Sequence, residues 1–169
     1  MPTDGVYGTM GRPAYVRLSQ FSLTNSTTES KLTAYTLPPN PGKGTVITGE
    51  FMASLSTHTT AGNLTIAGYI GSTAVITTGA VAMVNSLTTD YMVGKFRAVI
   101  RSATTALCSL DIRSCAETAG VNNFIKGALD ATADTVDWTA ANDFTLGFTM
   151  SAASANNILL VEHFMVWVE

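Results

Sequence analysis

The sequence has few charged side chains for its size. Asp, Glu, Lys and Arg make up 12% of its 169 residues, against about 25% in an average soluble protein. Threonine, serine and asparagine take their place, for example in the run Thr57-His58-Thr59-Thr60. Because threonine is β-branched and favours strands, the composition predicts an all-β protein with a neutral, hydroxyl-rich surface.

Clustered positive charge is also missing, which argues against a nucleic-acid partner. The nine Lys and Arg residues are scattered and the net charge is -3, whereas phosphate backbones are bound by grouped basic side chains. The densest group is Lys95, Arg97 and Arg101, which share a parity within one predicted strand and therefore one face. A solvated or intersubunit strand face explains this group more simply than an anion site.

Long apolar runs are absent as well. No stretch of the sequence approaches the roughly 18 apolar residues of a membrane helix. The N-terminus lacks the charged start and apolar core of a signal peptide. We therefore expect no membrane partner, and we expect synthesis and folding in a cytoplasm.

The residues that usually build active sites are few. The two histidines are His58 and His163, and no nucleophile elbow, P-loop or dinucleotide-binding motif occurs. Cys108 and Cys115 have opposite parity in one predicted strand and lie roughly 23 Å apart in it, so we expect free thiols. These absences predict a protein that is not an enzyme and that needs no cofactor.

Strand patterns separated by turn residues follow one another along most of the chain. The clearest alternation is in residues 144–150, where every second side chain is apolar and predicted to face a core: Phe144, Leu146, Phe148 and Met150. About eight strands in this arrangement predict a β-sandwich of the jelly-roll or Greek-key type. We place this domain at residues 31–169.

Residues 1–30 have a different composition, rich in glycine, proline and aromatic residues and ending in a polar run. A segment of this kind does not form a compact core alone. We predict an extended N-terminal arm that packs on a partner such as a neighbouring subunit, with Tyr7, Tyr15 and Phe21 as its anchors. The alternative is a flexible tail.

The final strand, residues 157–168, is apolar on both faces. Strict alternation places Phe164 on one face, and Met165 and Trp167 on the other. A strand buried on both sides lies between two packed layers or at a subunit interface. We therefore predict that these three residues lie in the core or in a subunit interface.

One segment, residues 129–143, gathers several aspartates around a tryptophan. Asp130, Asp134 and Asp137 supply the carboxylate oxygens that calcium prefers, although their spacing is not that of an EF-hand. Aspartates that cap turns are the commoner explanation. Trp138 is a candidate ligand contact, because an exposed tryptophan can stack on a sugar ring, and packing in the core is the alternative.

The region from residue 44 to residue 169 resembles small structural proteins of tailed bacteriophages, especially capsid decoration (cement) proteins and head- or tail-fibre domains. The resemblance is carried by Thr-, Ala- and Gly-rich strands with few charges, by the N-terminal arm, and by the ending Asn156-Asn-Ile-Leu-Leu-Val-Glu-His-Phe-Met-Val-Trp-Val-Glu169. It implies jelly-roll subunits that form homotrimers on capsid or tail surfaces. It implies no catalytic residues.

Our leading hypothesis is therefore a virion protein of the capsid surface, which binds the major capsid protein and stabilises the assembled phage head. The alternative is a fibre, receptor-binding or carbohydrate-binding β-sandwich module. Both functions use the same fold and the same kind of surface, so at this point the choice between them stays open.

Overall fold

The computed structural model describes residues 14–17, 19–114, 125–130 and 134–169, which form two antiparallel sheets. The large sheet has eight strands: β1 (Tyr15–Arg17), β2 (Phe21–Thr24), β4 (Val46–Ser56), β8 (Asp90–Ile100), β9 (Thr105–Ser114), β10 (Ile125–Leu129), β11 (Asp134–Thr135) and β13 (Ile158–Val168). The small sheet has five: β3 (Ser30–Leu37), β5 (Asn63–Ile70), β6 (Thr73–Thr77), β7 (Val81–Ala82) and β12 (Asn142–Met150). No membrane-spanning helix occurs in these parts of the chain.

The strands are connected as in a jelly roll, which is a long antiparallel hairpin rolled up into two sheets. The outermost pair is β2 with β13, and the pairing continues inward along the chain with β3·β12, β4·β8 and β5·β6. Pairing of β13 with β4 and of β12 with β5 then joins these strand pairs into the two sheets. The predicted all-β sandwich of jelly-roll type is confirmed.

The core between the sheets is built from alternate side chains of the strands. In β4 and β8 every second residue is buried along the strand, as the two-residue repeat of a strand requires. The four β12 residues predicted to face the core are all 0% exposed. One of them, Phe144, stacks on Phe96 of the opposite sheet with ring centroids 4.4 Å apart, so aromatic packing ties the two layers together.

A β-bulge in β13 changes which side chains share a face. The register with β4 shifts between Val161 and His163, and the extra residue reverses the alternation from there on. Phe164 is therefore buried in the core at 0% exposure, while Met165 and Trp167 lie half-buried on the other side of the sheet. The prediction that alternation continues unbroken through the whole strand is wrong at this bulge. The prediction that Phe164 lies on the opposite face from Met165 and Trp167 still holds.

The first described strands lie inside the segment predicted as an arm. Both β1 and β2 pair with β13 in the large sheet, and Leu23 of β2 is 2% exposed. Tyr15 packs against the core, and the Phe21 ring centroid lies 5.7 Å from that of Phe148. The sandwich therefore includes residues on the N-terminal side of position 31. Tyr7, with the rest of residues 1–13, lies outside the described residues.

Candidate functional site

The outer face of the large sheet, the side turned away from the small sheet, carries the exposed large hydrophobic side chains of the described chain. Five large hydrophobic residues are exposed there: Val16, Met52, Tyr91, Val93 and Leu129. Each is next to a residue of the same strand that packs in the core, so alternation points all five outward. Single exposed hydrophobic residues are ordinary, but Met52 and Val93 are cross-strand partners and Tyr91 lies two residues from Val93 on β8, so these three form a contiguous patch of the kind that indicates a binding surface.

Two rows of side chains cross the middle of this outer face from β13 to β9. The first row consists of Met165, Glu50, Lys95 and Asp111. The second row consists of His163, Met52, Val93 and Arg113. Together they line a depression with a volume of about 510 Å³, which we call the central hollow.

The charges in the central hollow balance. Lys95 Nζ lies 2.8 Å from Glu50 Oε1, and because both side chains are well exposed this ion pair contributes little to stability. Asp111 and Arg113 form no side-chain hydrogen bond or ion pair with the residues that the structure describes. Among the described side chains, the hollow therefore offers one carboxylate and one guanidinium without a partner.

The floor of the central hollow is rigid because the core lies directly behind it. Gly94 of β8 faces inward between two hollow residues, and the Phe51 ring packs onto its Cα so closely that a Cβ at position 94 would overlap the ring. Phe51 in turn makes an edge-to-face contact with Phe148 of the small sheet, with ring centroids 5.7 Å apart. The backbone that carries the hollow residues is therefore held in place by the core, which favours a preformed site.

Trp138, the candidate ligand contact, lies in the core. Its side chain is 2% exposed and belongs to the main hydrophobic cluster, so the ring has no free face on which a sugar could stack. The alternative given for it, core packing, is what the structure has. A hydrogen bond of 2.7 Å from Asn40 N to the Trp138 carbonyl oxygen joins this segment to the loop that follows β3.

The aspartates considered as calcium ligands do not converge. Asp137 caps its own turn and accepts hydrogen bonds from Thr139 N at 2.9 Å and Thr139 Oγ1 at 2.6 Å, which lowers the pKa of its carboxyl. Asp130 and Asp134 interact with each other instead. Within the described residues no three acidic, His or Cys side chains are grouped as metal ligands. A turn cap is therefore the role that the structure gives Asp137.

Asp134 has an unusual acidity for its type. Burial, a hydrogen bond that the protonated Asp134 carboxyl donates to the Asp130 side chain, and the Asp130 charge raise the pKa of Asp134 to about 6. Since the folded state then holds a proton that the unfolded chain would release near pH 4, protonated Asp134 stabilises the fold. This stabilisation is complete below the unfolded pKa and is lost as the pH rises through about 6.

Asp134→Asn is expected to remove this pH dependence. The melting temperature of the unmodified protein should fall between pH 4 and pH 6.5 by more than that of the variant, since an amide has no proton to lose. At pH 7 the variant should be the more stable of the two. Asp111→Asn, on the exposed outer face, is the control. Equal slopes for Asp134→Asn and the unmodified protein in a thermal denaturation series would contradict the assignment.

Sequence reasoning did not find the central hollow. The two-sided apolar pattern was recognised in β13 but not in β8, where Tyr91 and Val93 are exposed while Met92 and Phe96 are buried. Lys95 was assigned to a basic strand face without its partner Glu50. The sequence feature that could have indicated this surface is the run of consecutive apolar residues in β8, which places apolar side chains on both faces of the strand.

Comparison with known proteins gives weak structural matches only. No family model and no curated protein sequence matches the chain. One similar structure is an engineered GH43 glycoside hydrolase with endo-xylanase and exo-arabinofuranosidase activity, with a TM-score of 0.42 and 9% identity over 83% of this chain and 31% of that chain. Another is the CBM2 module of the evolved Dit of Lactobacillus casei BL23 phage J-1, with a TM-score of 0.32 and 11% identity over 79% of this chain and 67% of that one.

A third similar structure is that of the infectious bursal disease virus Gx strain, with a TM-score of 0.29 and 20% identity over 94% of this chain and 40% of that chain. The structural neighbours thus include a phage module and a virus structure. The chain spans less than a third of the length of the glycoside hydrolase. With TM-scores below 0.5, none of these likenesses carries an argument about function.

Proposed function

We propose that this protein is a virion structural protein of the capsid-decoration kind, which acts by binding. In this proposal the N-terminal segment attaches the protein to the coat, and the outer face of the large sheet is presented to a second partner. The observation that carries the proposal is the confinement of all five exposed large hydrophobic residues of the described chain to that one face. A sandwich with one such face is suited to hold a binding surface in place.

The composition of the outer face also supports binding. Aromatic residues, methionine and arginine are enriched in the centres of protein interfaces, and this face presents Tyr91, Trp167, Met52 and Arg113. On the small sheet the Tyr69 ring is already engaged within the protein, because its hydroxyl donates to Glu29 Oε1 at 2.7 Å and Lys31 Nζ lies 3.7 Å from its ring centroid. The two faces are therefore chemically distinct.

In this proposal the attachment segment is shorter than the arm predicted from the sequence. Tyr15 and Phe21 were predicted as capsid anchors, but both side chains pack on the core of their own sandwich. We therefore assign attachment to residues 1–13, which include Tyr7. The major capsid protein as partner, the homotrimer and the position on the capsid surface remain predictions under this proposal.

Deletion of residues 1–13 is expected to abolish attachment without unfolding the sandwich. This deletion leaves β1 and β2 in place, so the melting temperature should change little. Co-sedimentation of the variant with virus particles that lack the protein should fall to background. A deletion through residue 24 is the contrasting variant, because it removes both strands and the buried Leu23 and should not fold. Full co-sedimentation of the shorter deletion would contradict this assignment of the attachment segment.

A further inference from the structure

We propose that the central hollow binds a neutral saccharide. This saccharide site rests on the proposed function in one respect: both take the outer face of the large sheet as the binding face. The alternative hypothesis from the sequence placed a sugar at Trp138, which is buried. The hollow lies elsewhere, on β4, β8, β9 and β13, and is built from other residues.

The size and floor of the hollow suit a sugar. Its volume of about 510 Å³ lies within the range of roughly 300–1,000 Å³ that is common for small-molecule sites. The floor is apolar, with Met52 and Val93 exposed toward the hollow. A pyranose ring has apolar C–H faces and hydroxyl groups at its edge, so it can cover this floor while its hydroxyls reach the polar walls. Tyr91, 61% exposed and two residues from Val93 on the same face of β8, adds an aromatic surface at the border.

The polar walls match hydroxyl groups in particular. A hydroxyl is both a donor and an acceptor, so one sugar can donate to the Asp111 carboxylate and accept from the Arg113 guanidinium. Within the described residues neither side chain has a hydrogen-bond or ion-pair partner, so both are open to hydrogen bonds with a ligand. Hydrogen bonds to charged groups are stronger than those between neutral groups, which favours these two residues as the main contacts.

The balance of charge selects a neutral ligand. The acidic lining residues Glu50 and Asp111 offset the basic residues Lys95 and Arg113, and the whole chain has a net charge of -3. A sialylated or sulfated saccharide would meet the two carboxylates without a surplus of positive charge to compensate. We therefore assign the hollow to neutral hexose-based or N-acetylhexosamine-based oligosaccharides.

The experiment is a calorimetric titration of the full chain with defined oligosaccharides. The neutral probes are maltotetraose, cellotetraose, laminaritetraose and chitotetraose, and the acidic probes are sialyllactose and a heparin tetrasaccharide. Arg113→Gln and Asp111→Asn are tested beside Arg97→Gln, a matched control that lies on the same outer face of β8 but does not line the hollow. Circular dichroism melts verify that all three variants keep the fold.

We expect at least one neutral probe to bind, with affinity reduced on the order of tenfold or more by each hollow variant and unchanged by Arg97→Gln. Three results would overturn the inference: no neutral probe binds, only acidic probes bind, or the hollow variants behave like the Arg97 control. The co-sedimentation of the same variants with virus particles is measured separately. Retained attachment with no saccharide binding would refute the saccharide site alone, whereas lost attachment of the unmodified protein would refute the proposed function.

Discussion

Replacing Gly94 with valine is expected to lower the free energy of unfolding by about 3 kcal/mol or more. Gly94 faces the core in β8, opposite Phe51 in the register with β4. A Cβ at this position would overlap the Phe51 ring. That ring is 1% exposed and held edge-on against Phe148 of the small sheet, so it has no open space to move into. The valine would therefore force the two sheets apart or push Phe51 out of its rotamer.

Thermal denaturation followed by circular dichroism measures this effect. For a domain of this size about 3 kcal/mol corresponds to a fall of roughly 6–12 °C in melting temperature. Gly127→Val is the matched control, because Gly127 lies in β10 of the same sheet and a Cβ there meets only the flexible Asp111 carboxylate, 3.0 Å away. If the two variants melted together, the close contact between ring and backbone would not be a determinant of the fold.

Asn157→Leu is expected to destabilise the protein by about 3–5 kcal/mol. Asn157 is 0% exposed at the start of β13 and ties together the loops at one end of the sandwich. Its Oδ1 accepts a hydrogen bond of 2.8 Å from His58 N. Its Nδ2 donates to the carbonyl oxygens of Ala61 at 3.2 Å and Ala152 at 3.0 Å. Leucine has a similar size but would leave all three backbone groups without this partner.

Asn156→Leu is the control for this variant, because the neighbouring side chain is exposed. Urea denaturation should move the midpoint of Asn157→Leu well below that of both the control and the unmodified protein, with similar slopes. A shift for Asn157→Leu no larger than that for Asn156→Leu would mean that the amide network does not hold the loops.

The sequence was sufficient to predict the fold class because local alternation decides it. Residues 144–150 showed one apolar face, and all four predicted side chains are buried. The order of the strands was not predictable in the same way, because it depends on pairings between distant parts of the chain, such as β2 with β13. The bulge after Val161 was missed for a related reason: a single inserted residue leaves no mark in the composition of an apolar strand.

The candidate site depended on information that the sequence does not carry locally. Met52, Val93 and Arg113 come from three strands and meet only because β4, β8 and β9 are neighbours in register. Alternation gives the face of each residue but not which strands lie side by side. Trp138 shows the converse, since its type suggested a ligand contact while its position in the packed sandwich buries it.

The most direct test of the proposed virion role is the copy number of this protein in purified phage particles. Gel densitometry against the major coat protein gives this ratio. The account predicts a ratio on the order of one copy per coat subunit, or a fixed small fraction of it, as repeated attachment at symmetric positions requires. Absence of the protein from purified particles would contradict its assignment as a virion structural protein.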